Sequence, residues 1–209
     1  MTRHHALRAV SITALVLLLA AGFVRATTLL QLTFNELVSA SERIFTGVVV
    51  DVTVTTEGDL VYSTVHFTVD AVIKGELADT TLERTLELRF LGGTSAGLQT
   101  EVVGQFIPAI GAHGLWFVDD AERDLVNPLT GWSQGYFPFV ETADGSRWLD
   151  LRDHPDYGLL QENPDPLAGK MRDLNFTRAQ IAEKYPERLR FPLDDFIVAI
   201  NAVMAEQGE

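Results

Sequence analysis

The chain contains no cysteine. That absence excludes a disulfide framework, a thiolate zinc site, an iron–sulfur cluster, a cysteine nucleophile and a lipidated-cysteine anchor. Basic residues are scarce, with 16 Lys and Arg against 29 Asp and Glu, a net charge of −13. A chain this acidic lacks the positive surface that nucleic acid or an anionic membrane requires, so neither is an expected partner. Internal repeats and low-complexity tracts are also missing. What remains is ordinary globular composition, 46% hydrophobic and 22% charged over 209 residues. Such a composition argues against wholesale disorder. The length suits one domain with a small appendage.

The first 26 residues read as an address. Arg3 and Arg8 form a positive start, Ile12 to Val24 is an almost unbroken apolar run, and Val24-Arg25-Ala26 fits a cleavage site. The run is short for a membrane-spanning helix, which needs about 20 apolar residues. The expectation is a secretory signal peptide over 1–26. After cleavage the protein would begin at Thr27 and keep no stable membrane association. Arg3, Arg8 and Arg25 would leave with no acid, moving the balance from −13 to −16. The expected location is exported, periplasmic or extracellular.

Residues 27–150 carry mostly β signals. Thr33-Phe34-Asn35-Glu36 matches a capping box, with Leu32 and Leu37 at the staple positions, and predicts a short helix from Phe34 to Ser41. Alternating valines in the segment from Glu42 to Thr56 predict a strand, and Glu57-Gly58-Asp59 a turn. Val61, Ser63, Val65, Phe67 and Val69 then alternate strictly with Tyr62, Thr64, His66, Thr68 and Asp70, the period of a half-buried strand. Further strands are expected at Leu86–Phe90, Leu115–Val118 and Tyr136–Val140. Asp144-Gly145 signals a hairpin with Trp148-Leu149 returning. Residues 151–209 begin with an irregular Pro-, Asp- and Gly-rich stretch. A second capping box follows at Thr177 to Gln180. Leu193, Phe196, Ile197, Ile200, Val203 and Met204 then fall at helical spacing on one face. Few helices intervene between strands, which disfavours a doubly wound α/β sheet. The expected fold is mainly β: a small OB-like barrel of about five strands, with a short N-terminal helix and C-terminal helices packed on it.

The order of these pieces is also familiar. A short helix precedes Arg43-Ile44-Phe45-Thr46-Gly47-Val48-Val49. Thr64-Val65-His66-Phe67-Thr68-Val69 then runs into Val72-Ile73-Lys74-Gly75. Gly92-Gly93, Gly104 and Gly131-Trp132-Ser133-Gln134-Gly135-Tyr136-Phe137 follow. Over residues 27–140 this resembles a group of exported bacterial proteins without an assigned activity. More distantly it is similar to the netrin-like domains, OB-type barrels that include the tissue inhibitors of metalloproteinases. The resemblance implies an alternative function, inhibition of a secreted metalloproteinase through the mature N-terminus. The free α-amino group of Thr27 would ligate the metal, and Thr28 would point toward the protease pocket. The inhibitors begin with a disulfide-fixed cysteine. Here Thr27-Thr28 stands instead, and nothing in the sequence visibly rigidifies that strand.

Catalytic constellations are hard to assemble. Gly93-Thr94-Ser95-Ala96-Gly97 matches G-x-S-x-G, the nucleophile elbow of hydrolases, which sits between a strand and a helix. The residues after Gly97 read as extended, so hydrolysis by Ser95 with His113 or His154 as base is the weaker reading. His66, His113 and His154 share no ligand spacing, and no metal site is expected from them. His66 is placed on an exposed polar face. The acidic clusters Asp119–Asp124 and Asp153–Asp156 lack a calcium-loop pattern and read as solvated loops. Asn175-Phe176-Thr177 matches a glycosylation sequon, with Thr177 already explained as a helix cap. Trp132, Tyr136 and Phe137 surround Ser133-Gln134-Gly135. They line a groove for a peptide, glycan or partner, or else Trp132 and Phe137 are simply core. The sequence therefore points to a non-catalytic, cofactor-free binding module. Its candidate binding residues are Thr27, Thr28, Trp132, Gln134 and Tyr136, and its expected partner is an extracytoplasmic protein such as a protease.

Overall fold

Thr33 starts the first helix as its sequence demands. In the computed structural model, which describes residues 32–77, 84–120, 123, 125–150 and 190–208, helix α1 spans Phe34–Ala40. The Glu36 amide donates to Thr33 Oγ1 at 3.3 Å, and the Thr33 amide donates to Glu36 Oε2 at 2.8 Å. These Thr33 bonds, the backbone one foremost, lower the Glu36 pKa. The expected signal peptide, Thr27, Thr28, the irregular stretch and the second capping box lie outside the described residues.

Strands β1 (Arg43–Glu57) and β2 (Leu60–Lys74) follow, joined by the tight turn Gly58-Asp59. Then come β3 (Thr85–Leu91), β4 (Gly93–Ser95), β5 (Leu98–Thr100) and β6 (His113–Val118). Next are β7 (Tyr136–Glu141), β8 (Arg147–Asp150), β9 (Arg190–Pro192) and helix α2 (Leu193–Gln207). The protein is mainly β, with one antiparallel sheet of seven strands in the order β3-β2-β1-β6-β7-β8-β9 and a separate β4–β5 hairpin. The pairing has two ends, β3 and β9, and seven members where the sequence pattern counted about five. The surplus has a simple origin. β8 completes the Asp144-Gly145 hairpin, and β9 is only three residues long, too short to show any period.

β1 changes register with β2 at Ile44/Phe45, Thr46/Gly47 and Val49/Asp51. Such bulges bend a strand and increase its twist. Gly47 permits the closest approach, since a Cβ there would lie 2.6 Å from the Thr68 carbonyl oxygen.

The sheet separates two apolar clusters. One lies against the helices and contains Ile44, Leu115, Phe117, Phe137 and Leu149 with Phe34, Leu37, Phe196 and Ile200. The other contains Phe45, Val65, Phe67, Leu88, Phe90, Trp116 and Leu129. β6 supplies both, Leu115 and Phe117 to the first, Trp116 and Val118 to the second. A strand buried on both faces loses the alternation of a half-solvated one, which is why Leu115-Trp116-Phe117-Val118 reads as an unbroken apolar run. α2 buries Leu193, Phe196, Ala199, Ile200 and Val203, with Ile197 and Met204 half-covered, as the helical spacing required. Phe196 is the hub, its ring 5.2 Å from Phe34, 5.2 Å from Phe137 and 5.8 Å from Phe191.

Candidate functional site

Between β6 and β7 the chain runs back along β6 before it reverses. Asn127 Oδ1 accepts the Leu129 amide at 2.9 Å, Leu129 bridges Val118, and the Thr130 amide donates to the Phe117 carbonyl at 2.9 Å. The same stretch reaches β3, where the Leu91 amide donates to the Val126 carbonyl at 3.0 Å. Ser41, just after α1, contacts Thr130 side chain to side chain at 2.8 Å. The reversal is therefore anchored on three sides.

The reversal itself is a short 3₁₀ turn, Trp132–Gly135. Gly131 has φ +61° and Trp132 φ +62°, both left-handed. Glycine adopts that region freely, whereas a bulky L-residue is strained there by roughly 1–3 kcal/mol. Gly135 has no room for a side chain, because a Cβ would lie 2.7 Å from the Thr130 oxygen and 2.8 Å from the Phe117 oxygen. Trp132 as a residue is only half-buried, so packing leaves part of it presented to solvent.

Gln134 is buried, at 2% exposure. Its Oε1 accepts the Leu32 amide at 2.8 Å across 102 residues of sequence. Leu32 in turn packs on the helix-side cluster. Gln134 thus fixes the backbone immediately before α1. Tyr136 goes elsewhere. Its ring stacks on Trp116 at 4.0 Å and on Phe106 at 5.3 Å, on the opposite side of the sheet. Trp116 Nε1 donates to the Gly47 carbonyl at 2.9 Å, and its ring continues the column to Phe67 at 5.0 Å. Burial pushes the Tyr136 pKa up to about 12. The turn therefore keeps Trp132, Gln134 and Tyr136 adjacent in sequence but gives them different surroundings. Trp132 is half-exposed, Gln134 holds Leu32, and Tyr136 extends an aromatic stack. Of Trp132 and Phe137, the two residues that the core reading named, Phe137 is buried and Trp132 only half so.

The remaining sequence candidates occupy other places. Ser95 ends β4 and pairs with Leu98 across a turn in which Ala96 has φ +49° and Gly97 φ +84°. The segment after Gly97 is a strand, as its extended pattern suggested. Neither described histidine is bonded to Ser95. His66 is half-buried rather than open on its polar face, with Nε2 3.1 Å from Thr53 Oγ1 and Nδ1 3.2 Å from Glu87 Oε1. The reason is the register, which sets His66 between β1 and β3.

His113, the first residue of β6, meets Asp70 Oδ2 at 2.8 Å, and Arg147 NH1 approaches the same oxygen at 3.5 Å. The His113 ring and the Arg147 guanidinium both lie against Phe139. Sequence reading missed this cluster, since its members are far apart: the pairing of β1 with both β2 and β6 brings Asp70 to His113, and the β6–β7–β8 pairings bring Arg147. Among the described residues, no group of three or more acidic, histidine or cysteine side chains is arranged to hold a metal ion. Among them also, no helix is long and apolar enough to cross a membrane. Comparison with family models, with curated proteins and with solved structures returned no match.

Proposed function

We propose that this chain is an exported, non-catalytic binding module whose contact surface is the Gly131–Tyr136 turn. The observation that carries the reading is Trp132. A bulky residue is held in a left-handed conformation, half-exposed, by neighbours that are themselves buried or sterically fixed. Strain of this kind persists only where the surroundings over-determine it, and it clusters at ligand-contacting sites. Aromatic side chains supply large, rigid contact area at partner surfaces. The N-terminal address supports action in a periplasm or outside the cell, with an extracytoplasmic protein as partner. The bonds from Val126 to Leu91 and from Leu129 to Val118 support reading the bent sheet as an OB-like barrel, because they link β3 to β6.

A second reading is favoured by a specific contact. Inhibition of a secreted metalloproteinase through Thr27 requires a fixed N-terminal segment. The Gln134–Leu32 bond supplies an anchor five residues downstream, which the sequence alone did not reveal. Such preorganisation is what tight inhibition needs.

The test is affinity capture from the native envelope and culture medium. The bait begins at Thr27 and carries its tag at the C-terminus. A protein retained by the native chain and lost with Trp132→Ala, with the circular dichroism unchanged, is the expected result. Equal retention by Trp132→Ala removes the turn as the contact. If the retained protein is a metalloproteinase, one extra residue before Thr27 should abolish inhibition. Unchanged inhibition would sink the N-terminal reading.

A further inference from the structure

We propose that the distal edge of β1, Asp51 to Glu57, is a docking edge onto which a partner protein adds an extended β-strand flanked by basic residues. β2 pairs with β1 as far as Glu57, but β6 pairs only from Arg43 to Val48. Two further bonds join Val49 to the loop before β6, its amide to the Ala112 carbonyl and its carbonyl to the Gly111 amide, both 2.9 Å. Beyond that point, among the described residues, the backbone from Asp51 to Glu57 bonds only within the hairpin. In an antiparallel pair alternate residues turn their N–H and C=O away from the partner strand. Among the described residues this edge therefore offers a row of unpaired donors and acceptors. The edge is also held in place. β4 covers the inner face of the hairpin, and a Cβ on Gly93 would touch Val54 at 3.2 Å and Val61 at 3.4 Å.

Among the described residues, the two end strands of the seven-stranded sheet are guarded. β3 carries Glu87 and Arg89, and β9 is three residues long and ends in Pro192. Charge, proline and shortness are the usual protections against strand addition. The β1 edge has none of them at its centre. Val52, Thr53, Val54, Thr55 and Thr56 are all uncharged and β-branched, the residue types that pair best as strands. Val50 and Val54 are 49% and 39% exposed beside it.

Charge selects the occupant. Asp51 is exposed at one end and Asp59 at the other, where Glu57 is also exposed but already carries an ion pair with Arg89 at 2.6 Å. A second copy laid antiparallel on the same seven residues would set Asp51 against Glu57 twice and join two chains of −13 each. Like charges directly opposed destabilise a strand pair. A strand of alternating β-branched residues with Lys or Arg at its ends meets the same edge with opposite charge, the mode known as β-augmentation. This inference rests on the binding-module reading but not on the Trp132 turn, so Trp132→Ala leaves it untouched.

The experiment uses the full chain and the fluorescent peptide Lys-Val-Thr-Val-Thr-Val-Lys, read by fluorescence anisotropy. Its counterparts are a Glu-ended version and two Lys-ended versions N-methylated on one or the other alternating set of amides. Saturable binding of the Lys-ended peptide is expected, with about tenfold weaker binding of the Glu-ended one. Only one of the two N-methylation sets should abolish binding, because only one faces the edge. Asp51 has an exposed side chain, and Asp51→Lys should narrow or reverse the charge preference with circular dichroism unchanged. Absence of saturable binding, indifference to both N-methylation sets, or the same preference in Asp51→Lys would overturn the proposal. So would a concentration-dependent dimer in sedimentation that the peptide disperses, which would make a second copy the occupant.

Discussion

Trp132 and Tyr136 sit four residues apart and respond to different tests. Trp132 has φ +62°. Asparagine tolerates that conformation, whereas a β-branched residue does not. Both replacements lose the indole, so their difference isolates the backbone. Trp132→Val should be less stable than Trp132→Asn by about 1–2 kcal/mol, read by urea unfolding. Tyr136 answers to pH. Burial raises its pKa from 10.0 to about 12 in the folded protein. The folded state therefore holds this proton after the unfolded state has released it. The associated stability is complete below pH 10 and is lost as pH rises from 10 to about 12. Unfolding midpoints should fall more steeply across that window in the native chain than in Tyr136→Phe. Equal slopes would show that the hydroxyl titrates normally. Neither property was legible in the sequence. Trp132 and Tyr136 read as lining a common groove or the core, because nothing in a linear string says that the turn between them is left-handed.

Elements with a strong local signal were read correctly. Thr33 and Glu36 form the capping box, β2 buries Val61, Ser63, Val65, Phe67 and Val69 on its alternating face, and α2 buries the stripe that its spacing drew. Each of these depends on residues within a few positions of one another. β9 and the neighbours of each strand depend on long-range pairing, and no period announces them. Gln134 is the clearest case, because its role is a bond to Leu32 across 102 residues. The packing of the helices gives the element-scale prediction. Phe196 joins α1, α2, β7 and β9 through three ring contacts. Phe196→Ala should cost about 3–5 kcal/mol, whereas Thr33→Ala, which removes one exposed cap, should cost about 1 kcal/mol. Chemical denaturation of the two variants checks the ranking, and a Phe196→Ala cost no larger than that of Thr33→Ala would contradict this packing.

On the scale of the molecule, composition foretold a globular chain and the alternating patterns a mainly β fold, but neither gave the number of strands in the sheet. Two long strands, β1 and β2, absorb 30 residues between them, and the short β8 and β9 extend the sheet toward the helices. The organising feature is β6. Four consecutive residues, Leu115 to Val118, alternate between two cores while their backbone pairs with β1 on one side. Neither core can open without disturbing that strand. The two therefore belong to one cooperative unit, and the amides of Leu115 to Val118 should exchange with deuterium only through global unfolding. Their exchange free energy should equal the unfolding free energy from denaturant. A lower value would mean that one core opens alone. The contact between β1 and β6 also closes a loop of roughly 70 residues. Native structure dominated by such distant pairings forms slowly. During that interval the apolar Leu115–Val118 segment lacks its partner, so a newly synthesised chain would spend its most aggregation-prone moments waiting for its own middle strand to find its first.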